Sequence, residues 1–340
     1  MRAYQGAVPG AGVAVLHHGA AIVRRVYGLA DVENRIAATA ATNYRLASMT
    51  KQFTAAAILL LAEDRRLSID DPVRKWLPEL PDAAAPIAIR HLLTHTSGLI
   101  DYEELIPDGR TEQLRDADVL ALLEAENRSY FPPGTNYRYG NSGYSLLASI
   151  AARASAADFA SLLRRRIFQP LGMQGTVAFE AGISTVPQRA FGHSRIQGSW
   201  MRADQSLTSA TLGDGGIYSS LDDLAKWDAA LGAGGLLRPE SLHLAFQPAA
   251  ATEDPAVQYA FGWRITGESV WHSGETTGFR NVIVRYPERR LTVIVLTNRD
   301  DPAPYPTALQ IAKVFLPAAD AVRAGGQAFG PDPAARPLPR

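Results

Sequence analysis

The run Phe53 to Ala62 (Phe-Thr-Ala-Ala-Ala-Ile-Leu-Leu-Leu-Ala) constrains the fold more than any other stretch of this chain. It is apolar on every side, and a helix with no polar face persists only where protein covers it all round. Ser48-Met49-Thr50-Lys51 leads into it. Ser48 is expected at the helix N-terminus, where unpaired backbone N–H groups and the positive end of the dipole favour a developing oxyanion. Lys51, three residues on, falls on the same face. Only four lysines occur, at 51, 75, 226 and 313, against thirty arginines, so solubility is a poor reason for a lysine here. An Ala- and Arg-rich coding bias weakens that inference. Desolvation lowers an amine's pKa, which would let Lys51 take a hydroxyl proton. The alternative is a helix-capping serine with a solvated first-turn lysine, and S-x-x-K alone does not decide between the two.

The 340 residues suffice for one large or two modest domains. Thirty-four basic and thirty-four acidic side chains balance, which argues against a nucleic-acid or anionic-membrane partner. Arg164-Arg165-Arg166 reads as the solvated face of a helix. No cysteine is present, which excludes disulfides, thiol catalysis and cysteine metal sites. The apolar run 53–62 is too short to span a bilayer, and the first residues lack the apolar core of a signal peptide. A cytoplasmic location is expected for the chain as written, and a periplasmic or secreted one if an upstream segment precedes it.

Strand signals gather at the two ends. Val13 to Leu16, a His17-His18-Gly19-Ala20 turn and Ala21 to Tyr27 read as a hairpin. Tyr259 to Thr266, Ser269 to Ser273, Asn281 to Tyr286 and Leu291 to Thr297 follow late in the chain, with Pro287 to Arg290 as the last turn. Helical periodicity occupies the middle, at 116–127 and 156–168, and Ser220 to Asp223 resembles a capping box opening another helix. Tyr305 to Leu316 reads as a final helix covering the sheet. The expected architecture is α+β: an antiparallel sheet built from both chain ends with flanking helices, and an all-helical subdomain inserted between. The sheet part comprises 1–47 and 213–316, the helical part 48–212, and residues 317–340 read as a disordered tail. Ser48 lies at the junction.

Serine–lysine chemistry needs a second proton-handling group and an element to hold the substrate. Phe131-Pro132-Pro133-Gly134 stiffens a loop that presents Tyr139 and Asn141 just before a helix. In such a Y-x-N the phenol can relay a proton while the amide donates to a carbonyl, although an isolated instance is more simply a turn tyrosine. Trp271-His272-Ser273-Gly274-Glu275 ends a strand, whose edge could pair with an extended substrate. Gly274 would permit close approach.

S-x-x-K, Y-x-N about ninety residues on and H-x-G near the C-terminus together resemble the serine β-lactamase and penicillin-binding-protein superfamily. The branch is that of class C β-lactamases and their related esterases and D-amino-acid peptidases. His91 to Leu99, Pro133-Gly134-Thr135, Gln169 to Met173 and Gly215 to Ser220 strengthen the likeness, which runs from about residue 8 to 300. The resemblance implies a β-lactamase/transpeptidase-like fold. It implies Ser48 as acylated nucleophile, Lys51 as its activator, Tyr139 as the proton-shuttling base and Asn141 as the holder of a substrate carbonyl. The backbone N–H groups of Ser48 and Glu275 would form the oxyanion hole, each worth roughly 3 kcal/mol. His272, Ser273 and Gly274 complete the expected substrate-binding strand. Neither metal nor cofactor is implied, and the expected partner is a small ester, amide or lactam, with the oligomeric state left open.

Two departures qualify the likeness. Where β-lactamases usually carry K-T-G, this chain has His272-Ser273-Gly274. A histidine near pKa ~6.5 is largely neutral at pH 7 and lacks the standing charge that attracts a lactam carboxylate, so acidification towards pH 6 is expected to improve the affinity for anions. The N-terminus is also shorter than in relatives, which usually open with a fuller helix. An esterase or D-amino-acid peptidase is therefore expected, with a true β-lactamase as the alternative and a covalent sensor that acylates once as a third. Gly192-His193-Ser194-Arg195-Ile196 nearly spells a hydrolase elbow but lacks its closing glycine and its parallel sheet. His91 and His95 have zinc-protease spacing, yet Leu92 replaces the required glutamate and no third ligand is evident, so they read as structural.

Overall fold

A computed structural model describes residues 1–316; the expected tail, 317–340, lies outside the described residues. Its centre is an eight-stranded sheet in the order Ala250–Ala251, Gln258–Tyr259, Arg264–Thr266, Ser269–Thr276, Phe279–Tyr286, Leu291–Thr297, Ala11–His17, Ala20–Tyr27. Every neighbouring pair is antiparallel. The two chain ends meet where Val13 pairs with Val295 and Val15 with Val293. His18 and Gly19 close the first hairpin with positive φ at both positions, the backbone that a two-residue turn between twisted strands demands.

Period-two alternation sorts these strands onto two cores. Val13, Val15, Val282, Val284, Val293 and Val295 face the last helix, Tyr305–Phe315, through its Tyr305, Ala308 and Ala312. Ala14, Leu16, Ile283, Ile294 and Leu296 face the larger core, which holds the helices Lys51–Glu63 and Leu221–Ala233. From Lys51 to Leu61 every side chain of the first of these is buried, as an all-round apolar surface requires. Ser220 caps the second, its hydroxyl accepting from the Asp223 N–H at 3.2 Å.

The middle of the chain is mostly helical, with Asp116–Glu124, Ser142–Ser155 and Phe159–Leu163 as principal elements. It is not purely so: His193–Ile196 and Ser199–Arg202 form a separate hairpin, and Val177–Ala178 joins a small sheet with Tyr44–Arg45 and Ile217–Ser219. The helix expected to open at 156 begins at Phe159, because Ala156 adopts φ +54° and Asp158 caps the new start at the Ser161 N–H, 2.7 Å away. The strand expected over 259–266 is broken in two. Gly262 turns there at φ +77° against the Lys51 carbonyl, where a Cβ would come within 2.8 Å of that oxygen. Among the described residues no single helix is long and apolar enough to cross a membrane.

Candidate active site

Ser48 lies in a 3-10 turn, Ala47–Thr50, that runs directly into the Lys51–Glu63 helix. Ala47, just before it, is held at φ +50°, a conformation that costs a non-glycine residue energy and persists only where its surroundings enforce it. Those surroundings are the sheet. Asn281 donates Nδ2 to the Arg45 carbonyl at 2.7 Å, and the Leu46 N–H bonds the Ile217 carbonyl at 2.8 Å. Gly274 faces the same turn so closely that a Cβ there would meet the Leu46 carbonyl oxygen at 1.9 Å. The glycine of H-x-G is thus required by the approach of strand to nucleophile.

Lys51 is 0% exposed, which overturns the solvated-lysine alternative. Its ammonium donates to Ser48 Oγ at 3.1 Å, to Asn141 Oδ1 at 2.7 Å and to the Asp214 carbonyl at 3.2 Å. Three acceptors match its three N–H bonds. Asn141 opens the Ser142–Ser155 helix, and so two helix starts and the 213–217 segment converge on one amine. Tyr139 stands beside them with its ring centroid 5.0 Å from Lys51 Nζ. Its hydroxyl is buried and hydrogen-bonds to no group among the described residues, Ser48 and Lys51 included. The structure therefore joins Ser48, Lys51 and Asn141 directly and sets Tyr139 adjacent, without a bond.

The third segment has a free edge. The strand Arg264–Thr266 meets this one only over Ser269–Trp271, which leaves His272 to Thr276 unpaired on that side among the described residues. In the two-residue hairpin closed by Thr276 and Phe279, the closing pair exchanges both its bonds, so alternation turns the Glu275 N–H outward along this edge. Ser273 is half-buried on it, and the Glu275 carboxylate is occupied by Arg280 at 3.4 Å. Both features suit the expected oxyanion donor.

His272 departs from expectation. It is 1% exposed, its Nδ1 lies 2.6 Å from the Ser273 carbonyl and its Nε2 3.1 Å from the Tyr259 hydroxyl. The first contact requires Nδ1–H, so in the neutral ring Nε2 is the nitrogen that accepts from Tyr259. Burial, then Arg264 and Lys51, hold its pKa well below the usual histidine range. Charging near pH 6 is thus not a property of this residue. The reason is the Tyr259 ring, carried on a strand two places away in the sheet, which roofs it over.

Several participants were not among the expected site residues, and His95, read from the sequence as structural, is one of them. His95 anchors the Y-x-N loop three times: its carbonyl accepts the Arg138 N–H at 3.0 Å, its ring lies 4.4 Å from that of Tyr139, and its Nδ1 accepts the Gly140 N–H at 3.4 Å. Burial and the charge of Lys51 push its pKa well down, and its Nε2 is buried without a partner among the described residues. The position adopts φ +57°. Asp101 receives the Asn141 N–H at 3.0 Å, and the side chain of Glu103 receives Asn141 Nδ2 at 3.0 Å. Asp214 accepts from the Tyr102 hydroxyl at 3.2 Å. Burial raises the pKa of Asp101 and Asp214, and burial together with Asp101 lifts Glu103 to about 7. His91 serves the fold, its Nδ1 accepting from the Ala88 N–H at 3.1 Å. Ser194 sits on the separate 193–202 hairpin.

The family model described as beta-lactamase matches residues 1–314. Penicillin-binding protein 4* of Bacillus subtilis is 32% identical over 304 residues, covering 83% of this chain and 66% of its own. A D-aminopeptidase of Gluconobacter oxydans is 31% identical, with 92% and 58% covered. The chain thus spans only part of the length of these relatives. Among solved structures, the octameric penicillin-binding protein homologue from Pyrococcus abyssi superposes with a TM-score of 0.81 at 27% identity, covering 91% of this chain and 74% of that one. The penicillin-binding protein from Bacillus halodurans gives 0.77 at 28% identity, with 90% and 95% covered. The mixed fold, the large antiparallel sheet and the match along nearly the whole described chain agree: this protein belongs to the beta-lactamase family.

Proposed function

We propose that this protein is a serine hydrolase working through an acyl-enzyme on Ser48, with esters or D-amino-acid amides as substrates. The observation that carries the reading is the buried Lys51 amine 3.1 Å from Ser48 Oγ, at the foot of an unpaired strand edge. With one proton removed, Nζ keeps two donations and turns a lone pair towards the hydroxyl. Ser48 Oγ then attacks the acyl carbon as its proton passes to Nζ, and the Ser48 and Glu275 N–H groups receive the oxyanion. Collapse breaks the bond to the alcohol or amine, which leaves with a proton from the Lys51–Tyr139 pair. Water adds to the ester carbon, returns a proton to that pair, and its collapse releases the acid and restores Ser48. Tyr139, whose ring lies beside Lys51 and whose hydroxyl has no partner among the described residues, is the group available to relay these protons.

The D-aminopeptidase relatives support the amide branch of this reading. Neutral His272 supports the preference over anionic lactams, since this imidazole does not itself supply the charge that the lysine of K-T-G carries. A fluorophosphonate should add once, on the peptide containing Ser48, and Ser48→Ala should abolish the adduct. A panel of p-nitrophenyl esters, D-amino-acid amides and a chromogenic cephalosporin then ranks the substrates by turnover. An adduct that survives Ser48→Ala, or one on Ser194, would overturn the assignment. A single acylation without turnover would identify a sensor instead.

A further inference from the structure

Glu103 has no part in the chemistry above, yet it is tied to the site by one amide. It lies in the 3-10 turn Tyr102–Leu105, exposed on the rim, and its Oε1 accepts from Asn141 Nδ2 at 3.0 Å. The same amide gives its oxygen to Lys51 Nζ at 2.7 Å. Asn141 therefore bridges the amine beside Ser48 to an exposed carboxylate. The adjoining Glu104 is paired with Arg138 at 3.0 Å, whereas Glu103 makes no ion pair among the described residues. One hydrogen bond leaves most of its acceptor capacity unfilled, since a carboxylate offers about four lone-pair sites. Asp101 and Asp214 add negative field at Glu103, against which Lys51 is the nearby cation.

We infer that Glu103 selects substrates whose acyl part carries an ammonium group a bond or two from the scissile carbonyl, in preference to the same substrates with that amine acylated. This inference rests on the acyl-enzyme reading of Ser48. The placement fits the chemistry. Ser48 Oγ and Asn141 Oδ1 both lie on Lys51 Nζ, so an acyl group on Ser48 would have Asn141 within reach of its α or β substituent, and the second hydrogen of that amide stays available while the first holds Glu103 in place. A positive group there meets a fixed carboxylate and fills its open lone pairs. An N-acetyl group brings a bulky neutral amide against the same carboxylate, and a site whose polar group is left unpaired rejects the analogue that lacks the matching one. The pKa of Glu103 is lifted to about 7 first by burial and then by Asp101, and a cation beside it would work in the opposite direction.

The test compares p-nitroanilides of D-alanine and of β-alanine, each with a free amine and N-acetylated, as the ratio of kcat/KM within each protein. A general loss of activity cancels in that ratio. Glu103→Gln keeps an oxygen to accept from Asn141 Nδ2 and removes only the charge, so a merely orienting role would leave the ratio untouched. In the wild type the free amine should be favoured by about tenfold or more in at least one pair, and Glu103→Gln should bring that ratio to within about threefold of one. A wild-type preference for the acetylated forms, or a ratio unchanged in Glu103→Gln, overturns the inference. Fluorophosphonate labelling of Ser48 in the same samples separates the two levels. Labelled Ser48 with an unmoved ratio removes only the role of Glu103, and failure to label removes the acyl-enzyme reading together with it.

Discussion

Gly274→Ala tests whether strand and nucleophile must touch as closely as they do. The added Cβ would lie 1.9 Å from the Leu46 carbonyl oxygen and 3.2 Å from the Met49 N–H nitrogen. Real contacts of this kind essentially never fall under 3.0 Å, so strand and turn must part by about 1 Å. Neither atom is the end of a flexible side chain, and the strain therefore goes into backbone. The displaced backbone includes both expected oxyanion donors, the Ser48 and Glu275 N–H groups. A misplacement of ~1 Å costs about a hundredfold in rate, and loss of one oxyanion donor about a hundred- to a thousandfold. Overpacking of this kind destabilises by about 1–3 kcal/mol, so the variant should still fold. The control is Gly215→Ala, where the nearest atom to a new Cβ is 3.7 Å away and no positive φ is needed. Hydrolysis of p-nitrophenyl acetate and the rate of fluorophosphonate labelling, with Tm beside them, form the assay. A folded Gly274→Ala within about threefold of wild type would refute the argument that this contact sets the oxyanion geometry.

His95→Ala should lower kcat by about tenfold or more, and Tyr139→Phe added to it should cost far less than in the wild type, because both act through the same loop; additive losses would count against that coupling. The ratio of kcat/KM for an anionic lactam to that for a neutral ester should stay level from pH 7.5 to 6, since His272 remains uncharged over that range; a ratio that climbs on acidification would mean that the imidazole titrates. Asp116 accepts from the Leu212 and Gly213 N–H groups and is pushed up to about 7, chiefly by burial and then by Asp214. Its folded pKa exceeds the ordinary 3.8, so its contribution to stability is full below about pH 4 and is lost as pH rises through about 7. The fall in Tm between pH 5 and 8 should accordingly be smaller in Asp116→Asn than in wild type, and equal falls would contradict the assignment.

The elements legible in the sequence were those whose burial leaves a local pattern. The strands Ala11–His17 and Leu291–Thr297 alternate between two cores, and Lys51–Glu63 is apolar all round. The adjacency of Ser48 and Lys51 is likewise local, since it follows from a helical start. What the sequence hid was decided across the fold. Nothing near Tyr259 announces that its ring covers His272, because strand pairing and not spacing brings them together. Gly262 looked like one residue in a strand until the backbone of Lys51 was packed against it. The hairpin at 193–202 alternates too weakly to stand out, having mostly exposed or half-buried side chains. Asp101 and Glu103 share one turn, Asp116 and Asp214 come from two other segments, and none has a motif.

Those four carboxyls all lie above the ordinary carboxylate range. Lys51 acts on Asp101, Glu103 and Asp214, lowering the pKa of each, and yet all three remain above their ordinary range. One buried ammonium can balance one carboxylate. The others then lower their energy by binding protons, because burying further negative charge without a partner costs more than protonation does. The hydrogen bonds agree with this division. Asp101 and Asp116 accept from backbone N–H groups, Asp214 is reached by the Tyr102 hydroxyl, and Glu103 alone lies exposed on the rim. A cation arriving with the substrate would therefore be felt first at Glu103, where it would offset the burial and the Asp101 charge that hold this carboxyl at about 7. Lys51, already committed to Ser48 and Asn141, keeps its place in the chemistry while the rim reads the substrate's charge.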